Sequence, residues 1–353
     1  MKIVVDAMGG DNAPQEIVKG AAMALSKDKD LKVVLTGDEQ KINKTLAGLT
    51  YDKARLEVIN CTEVITNDDV PTSAVRTNDD TPTLAIRQKK DSSLVVALKL
   101  LKEDEEVQGF VSAGSTGAGL TGALLRVGRI RGISRPAVCP MLPTATGGRV
   151  LIIDAGANAE CKPVNLAHFA IMGTAYAKAS GIANPRVGLV TNGTEEHKGD
   201  PLHQESYHLL KGLQGINFVG NVEGRDIMSG DIDVAVCDGF SGNIALKTAE
   251  GTALAVMSVI KQNIKASFAA KLGYALFMRG AFKKIKKVLD YSKYGGAVLL
   301  GIEKVVVKSH GSSKAESVCA SVLQAKDAAA QNLTANIAAM LAAVDLESVG
   351  AQQ

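Results

Sequence analysis

Tryptophan is absent from the 353-residue sequence, and aromatic residues make up only 4% of it. Readers of single-stranded nucleic acid stack bases on aromatic side chains, so no nucleic-acid partner is expected. Five cysteines, Cys61, Cys139, Cys161, Cys237 and Cys319, are scattered without a C-x-x-C pair. An odd, unpatterned set points to reduced thiols in the cytoplasm rather than a disulfide framework or a zinc knuckle. No window approaches the roughly 18 uninterrupted apolar residues of a membrane span. The opening MKIVVDAMGGD meets Asp6 too early for a secretory signal and reads as a first core strand. Also missing are G-x-x-x-x-G-K-[ST], G-x-G-x-x-G and HExxH. Nothing therefore specifies a nucleoside triphosphate, a dinucleotide or a catalytic metal, and no cofactor is expected.

What is present is an alternation of short β-branched runs with longer helical patterns. Strands are expected at 3–6, 32–35, 56–59, 109–112, 150–154, 186–191, 217–220, 233–237 and 304–308. That alternation predicts a doubly wound, mainly parallel α/β sheet covered on both faces. No Pro/Ser linker divides the chain, so a single α/β domain over 1–353 is expected. Seven of the strands end in loops rich in Gly, Asn, Asp, Ser and Thr: DAMGGD, SAGSTGA, DAGAN, TNGTEE, GNVEGRD, CDGFSGN and KSHGSS. Ligands of open α/β sheets sit beyond the carboxyl ends of strands, which places these loops on one rim. Gly, Asn and Asp also make ordinary tight turns, and for any one loop that plain reading competes evenly.

The loop SAGSTGA opens a helix over 116–127. Exposed N–H groups and the positive end of the helix favour an anion at Gly114, Ser115 and Thr116, and a small free phosphate needs no lysine after the glycines. DAGANAECKP adds a carboxylate at Asp154, then Asn158 and Lys162, both fitting donors to a phosphate or a developing oxyanion. Cys161 in the same loop reads better as a small buried thiol than as a nucleophile. Further expected contacts are Asp6 and Gly10 in the first loop, then Asn192, Arg225, Asp238 and Ser241. Lys247 lies further along the following helix. Arg225 suits bidentate phosphate binding, and an internal pair with Glu223 or Asp226 is equally plausible. Lys198, Asn243 and His310 complete the set of candidate catalytic residues. The run carrying Arg87, Lys89 and Lys90 before Ser92 and Ser93 reads either as a capped helix start with solvated cations or as cations reaching the rim.

The net charge of +3 is unevenly placed. Residues 270–293 hold seven Lys/Arg against one acid, Asp290, so the rest of the chain is net negative. The helical pattern from 243 to about 291, interrupted near Gly273 and Gly280, predicts a projecting hairpin. On it Met278, Phe282 and Ile285 recur at helical spacing beside Phe277, with Lys283 and Lys286 between them. Such a helix lies in an anionic membrane surface, forms a dimer contact with a solvated lysine face, or does both, with the helical pair as the dimer interface and its tip touching lipid.

With these motifs in view, in order, the sequence resembles the bacterial phosphate acyltransferase family from Met1 to the helix after Ser313. That family makes acyl phosphate from acyl-[acyl-carrier protein] and inorganic phosphate, at the entry to phosphatidic acid and phospholipid synthesis. The resemblance implies a fold related to phosphotransacetylases and to the isocitrate-dehydrogenase-like sheet. It also implies a homodimer, peripheral membrane association through the hairpin, and an acidic carrier protein as donor. The chemistry agrees, because phosphate is itself a dianionic nucleophile and must only be oriented against a thioester carbonyl whose oxyanion is stabilised. Gly114–Thr116 are expected to hold phosphate, and Asn158, Lys162 or Asn243 to polarise the carbonyl. Lys198 or His310 is expected to assist the leaving thiolate. Two rivals stand beside this reading: a soluble phosphotransacetylase using acyl-CoA, and a membrane-surface scaffold for other lipid enzymes.

Overall fold

The computed structural model of the chain describes residues 1–66, 81–280, 282 and 295–344. Twelve strands in the described residues form two sheets rather than one. In the first, β1 (Lys2–Asp6), β2 (Lys32–Gly37), β3 (Leu56–Asn60), β4 (Val107–Ser112), β5 (Ala137–Cys139), β11 (Ala297–Leu300) and β12 (Val305–Lys308) run in the order β3-β2-β1-β4-β12-β11-β5. In the second, β6 (Met141–Pro143), β7 (Arg149–Ile153), β8 (Arg186–Thr191), β9 (Asn217–Glu223) and β10 (Val234–Val236) run β6-β7-β10-β8-β9. Pairing is parallel except where β11 meets β12 and β5, and where β6 meets β7. The chain passes from one sheet to the other across the single residue Pro140, which lacks the N–H that would continue a ladder.

Strand residues alternate between two cores. Ile3 and Val5 enter one and Val4 the other; Val234 and Val236 enter one and Ala235 the other. Both faces are therefore dry, which is why these strands read as continuous apolar runs. One core is covered by α1 (Gln15–Lys27), α6 (Pro163–Ala179) and α10 (Ala315–Ala330), and the other by α4 (Ser93–Glu103) and the helical run from Thr116 to Val127. That run is α5 (Thr116–Gly122) continued by a π-helical turn, Ala123–Val127. Each core draws on residues of both sheets, so the doubly wound expectation holds with the sheet divided in two.

All nine expected strands are present. The three missed, β5, β6 and β11, span only three or four residues each. The run AVCPMLP offers no alternation long enough to reveal two strands separated by a proline. The long helix differs from expectation as well. α8 (Gly239–Ala266) ends where Ser267 turns extended, at φ −136° and ψ 153°, and not at Gly273 or Gly280. Beyond it α9 (Phe268–Gly273) runs on into a π-helical turn, Tyr274–Met278, and Tyr274 packs edge-on against Phe282 with ring centroids 5.3 Å apart. Lys283, Ile285 and Lys286 lie outside the described residues.

Candidate active site

Three loops interlock at the carboxyl end of the first sheet. Asp6, the last residue of β1, is buried and accepts hydrogen bonds from the hydroxyls of Ser93 (2.6 Å) and Ser112 (2.7 Å) and from the Met8 N–H (3.2 Å). Burial raises its pKa against the pull of those donors. Asp6 is thus a tie between β1, β4 and the start of α4. A Cβ on Gly9 would meet the Asp6 carboxylate at 2.5 Å and the Gly114 N–H nitrogen at 2.7 Å, so only glycine lets the first and fourth strand loops touch. Gly10 adopts φ +102°, the region glycine permits, and turns the chain so that Asp11 N–H donates to the Gly311 carbonyl at 2.9 Å. Asn12 adds bonds to the carbonyls of Ser312 and Ser313.

The second sheet is closed by Asp154. Its carboxylate accepts from the backbone N–H groups of Val138 (2.9 Å), Gly156 (3.2 Å), Ala157 (3.0 Å) and Asn158 (2.7 Å), and from the Asn158 side-chain amide (2.8 Å). Burial pushes its pKa up and the N–H donors oppose that. Every partner is a donor, an arrangement that suits the ionised form. Because Val138 belongs to β5, this one side chain bonds the two sheets together. Asn158 donates its second amide hydrogen to the Pro136 carbonyl at 2.7 Å. Both hydrogens are committed inside the loop, so Asn158 shapes the site and has no amide N–H left for a substrate carbonyl.

α8 starts against this loop. Asp238 accepts from the N–H groups of Phe240 and Ser241, both at 2.9 Å, and Gly239 N–H donates to the Asn158 carbonyl at 2.7 Å. Asp238 and Ser241 therefore serve the helix start. A Cβ on Gly242 would fall 1.9 Å from the Asp154 carbonyl oxygen. Gly242→Ala must push α8 off the loop, at a cost of about 1–3 kcal/mol for overpacking. We expect a matching loss in urea stability and a weakened substrate KM, since Asn243 and Lys247 ride on that helix.

Between the two sheets lies a cavity of about 400 Å³, bounded by Thr116, Gly156, Asn243, Lys247 and residues Lys308 to Gly311, with Val138, Met141, Leu142 and Leu246 forming an apolar flank. Ser115 caps the helix by accepting from Ala118 N–H at 3.4 Å. Among the described residues the N–H groups of Thr116 and Gly117 find no acceptor, so they remain free for an anion. Gly114 N–H is already taken by Ser112 Oγ at 3.0 Å. Lys247 pairs with Glu250 at 2.8 Å. His310 Nδ1 lies 2.9 Å from Ser312 Oγ and 3.3 Å from the Ser312 backbone nitrogen, so that edge of the ring is held by its own loop.

Lys308 is the site residue that the sequence did not single out. It ends β12 directly opposite Ser112 of β4, and its ammonium touches the Ser309 carbonyl. Burial lowers its pKa to about 8, with Asp6 and Asp11 pulling the other way and Lys247 adding repulsion. Its only sequence signal is its place at the end of a strand whose loop already looked like a ligand turn.

Other expected residues stand away from this cavity. Lys162 is exposed at the start of α6, its N–H bonded to Asn165 Oδ1 at 2.8 Å. Asn192 accepts from Gly199 N–H at 3.0 Å, and Lys198 lies over Gly193, both beyond β8. At roughly 4.8 Å per strand, β8 is about 10 Å from β7. Arg225, 79% exposed beyond β9, is paired with Glu223, which realises the internal pairing left open in the sequence. Cys161 donates to the Asn158 carbonyl, and burial pushes its pKa up to about 11, which leaves no thiolate for attack. Among the described residues no cluster of three His, Cys, Asp or Glu could hold a metal, and no helix is long and apolar enough to cross a membrane.

Comparison with known proteins gives the family and the fold. The family model described as "Fatty acid synthesis protein" matches residues 1–336. A phosphate acyltransferase of Clostridium tetani is 49% identical over 314 residues, covering 89% of this chain and 90% of that protein. One of Thermoanaerobacter pseudethanolicus is 47% identical over 328 residues, covering 93% of each. Among solved structures, a phosphotransacetylase from Streptococcus pyogenes aligns with TM-score 0.59 at 19% identity, covering 93% of this chain and 94% of that one. The EutD phosphotransacetylase from Staphylococcus aureus aligns with TM-score 0.58 at 19% identity over 94% of each chain. These two show a shared fold. On sequence, the chain is an enzyme that belongs to the phosphate acyltransferase family of fatty acid synthesis proteins.

Proposed function

We propose that the protein transfers a long-chain acyl group from the thioester of an acidic acyl-carrier protein to inorganic phosphate, giving acyl phosphate for phospholipid synthesis. The observation that carries this reading is one cavity that joins the helix start at Thr116, whose free N–H is followed by that of Gly117, the cations Lys247 and Lys308, and an apolar flank. Phosphate binds to those N–H groups, to the Thr116 hydroxyl and to Lys308. The acyl chain begins along Val138, Met141 and Leu246. A phosphate oxygen forms the new bond to the thioester carbon while Asn243 donates to the carbonyl oxygen, whose negative charge grows in the transition state. The carbon–sulfur bond then breaks, and the thiolate takes a proton from the ammonium of Lys308 or from His310 when its ring is an imidazolium. Lys198, Asn192 and Arg225 stand beyond β8 and β9, away from this cavity, and take no part in these steps.

The test is release of free thiol from a long-chain acyl-carrier protein with and without phosphate. Release that requires phosphate and favours the carrier over acyl-CoA supports the proposal; release from acyl-CoA alone moves the enzyme to the phosphotransacetylases. No release from either thioester points to the scaffold.

A second part of the proposal concerns the surface of α8 and α9. Leu254, Val259, Phe268, Leu276 and Phe277 are exposed by 56–83%. So much bare apolar surface marks an interaction site. In this reading α8 pairs two copies of the chain, and Phe268, Phe277 and Met278 reach an anionic membrane surface. Phe268→Glu together with Phe277→Glu is expected to cut sedimentation with anionic phospholipid vesicles by about 10-fold or more, leaving thiol release in solution unchanged.

A further inference from the structure

A second concavity, of about 380 Å³, lies on the outer face of the first sheet between α4 and the helical run that starts at Thr116. Four cations, Lys90, Lys99, Lys102 and Arg126, surround it against one carboxylate, Glu103. Lys102 is already engaged by Glu303 at 2.7 Å and by the Val127 carbonyl at 2.9 Å. Lys99 reaches Glu103 only at 3.9 Å, and Arg126 has a long bond of 3.4 Å to the Ile86 carbonyl. Among the described residues Lys90 has no carboxylate partner. Leu125, 50% exposed, gives the groove an apolar contact. The groove therefore presents unneutralised positive charge around a leucine, the reverse of an acidic surface with an apolar notch.

We propose that this groove docks the acidic carrier protein that delivers the acyl thioester; the inference rests on the acyl-transfer reading of the cavity. The helical run supplies the geometry. Arg126 lies ten residues beyond Thr116, about 15 Å along the axis at 1.5 Å per residue. A carrier seated on the groove would extend its thiol arm along the same run to the cavity that Thr116 borders. A lipid surface fits less well, because the groove is concave and the bare aromatic residues lie elsewhere, on α8, α9 and the turn after it. Charge at such a rim acts chiefly on encounter rate and salt dependence.

The experiment compares the wild type with a K90E/K99E/R126E triple variant and a K90Q/K99Q/R126Q triple variant. Each is assayed on acyl-carrier protein and on acyl-pantetheine, the same thioester without the carrier, and direct binding of labelled carrier protein is measured by anisotropy. The expected result for charge reversal is a rise of about 10-fold in KM for the carrier substrate at low salt. A smaller rise is expected for the glutamines, with acyl-pantetheine turnover unchanged and the wild type losing its advantage in high salt. An equal loss on both substrates overturns the proposal, since the groove would then be supporting the fold or the cavity. Unchanged carrier kinetics with lost vesicle binding also overturns it and makes the groove a lipid contact. If the wild type transfers no acyl group from any thioester yet binds carrier, and the variants do not, the reading of the cavity fails while the docking surface stands.

Discussion

Asp154→Ala is expected to leave the chain unable to hold its fold. The substitution strips the acceptor from four backbone N–H groups and one amide, of which the Val138 and Asn158 N–H groups and the Asn158 amide are buried. Each buried donor left unpaired costs about 1–3 kcal/mol. Even with partial relaxation the loss approaches the whole stability of an ordinary domain, about 5–15 kcal/mol. Asp154→Asn should be milder but still severe, because its NH₂ would face N–H donors. Urea unfolding followed by circular dichroism checks this, with exposed Glu105→Ala as a control expected to change stability by less than about 0.5 kcal/mol. Near-wild-type unfolding of Asp154→Ala would mean that the two sheets do not depend on this carboxylate.

Lys308→Met is expected to separate stability from activity. The lysine sits where burial disfavours its charge, with a pKa of about 8. Below that pH the fold must hold a proton that an unfolded lysine binds more readily, so the ammonium there opposes folding, and the opposition fades as pH rises from about 8 towards the ordinary lysine value. Removing the amine should leave stability at neutral pH unchanged or raised. Activity should move the other way, with kcat/KM for phosphate falling about 10²–10³-fold, the usual cost of losing one donor to developing negative charge. In the wild type kcat/KM for phosphate should decline as pH rises above about 8, where phosphate is already dianionic and the lysine loses its proton. Lys308→Arg should shift that decline to higher pH. A pH profile that stays flat through this range in the wild type would remove Lys308 from the phosphate site.

The sequence made the parallel strands legible because the central ones, such as β1, β2, β4 and β7, are buried on both faces and so read as short β-branched runs. It hid β5, β6 and β11, whose three or four residues are too few to show alternation; β6 pairs with the adjacent β7 and β11 with the adjacent β12, while β5 depends on β11 far along the chain. The division into two sheets was hidden for the same reason, since Pro140 looks like any proline in an apolar run. The rim loops announced themselves through glycine and small polar residues, and Thr116, Asn243, Lys247 and His310 do converge on one cavity. What composition cannot tell is whether a polar group faces a ligand or its own loop. The donor chemistry that marks Asn158 and Arg225 in the sequence is spent within their own surroundings, one on Asp154 and Pro136, the other on Glu223. Lys308 carried the opposite disguise. A lysine at a strand end resembles a solvated cation until β12 is inserted beside β4.

That insertion bears on how the protein is made. β12 lies between β4 and β11 in the sheet, and the loop after it is bonded to Asp11 and Asn12 near the start of the chain. During synthesis the amino-terminal strands emerge first, yet their sheet lacks a central member until residue 308 has left the ribosome. Contacts that join residues 300 positions apart form late and slow the search for the native topology. A nascent chain stalled before β12 would carry Thr116 and Asn243 without the lysine and histidine that complete the cavity, so the cavity closes only with the last strand of its sheet.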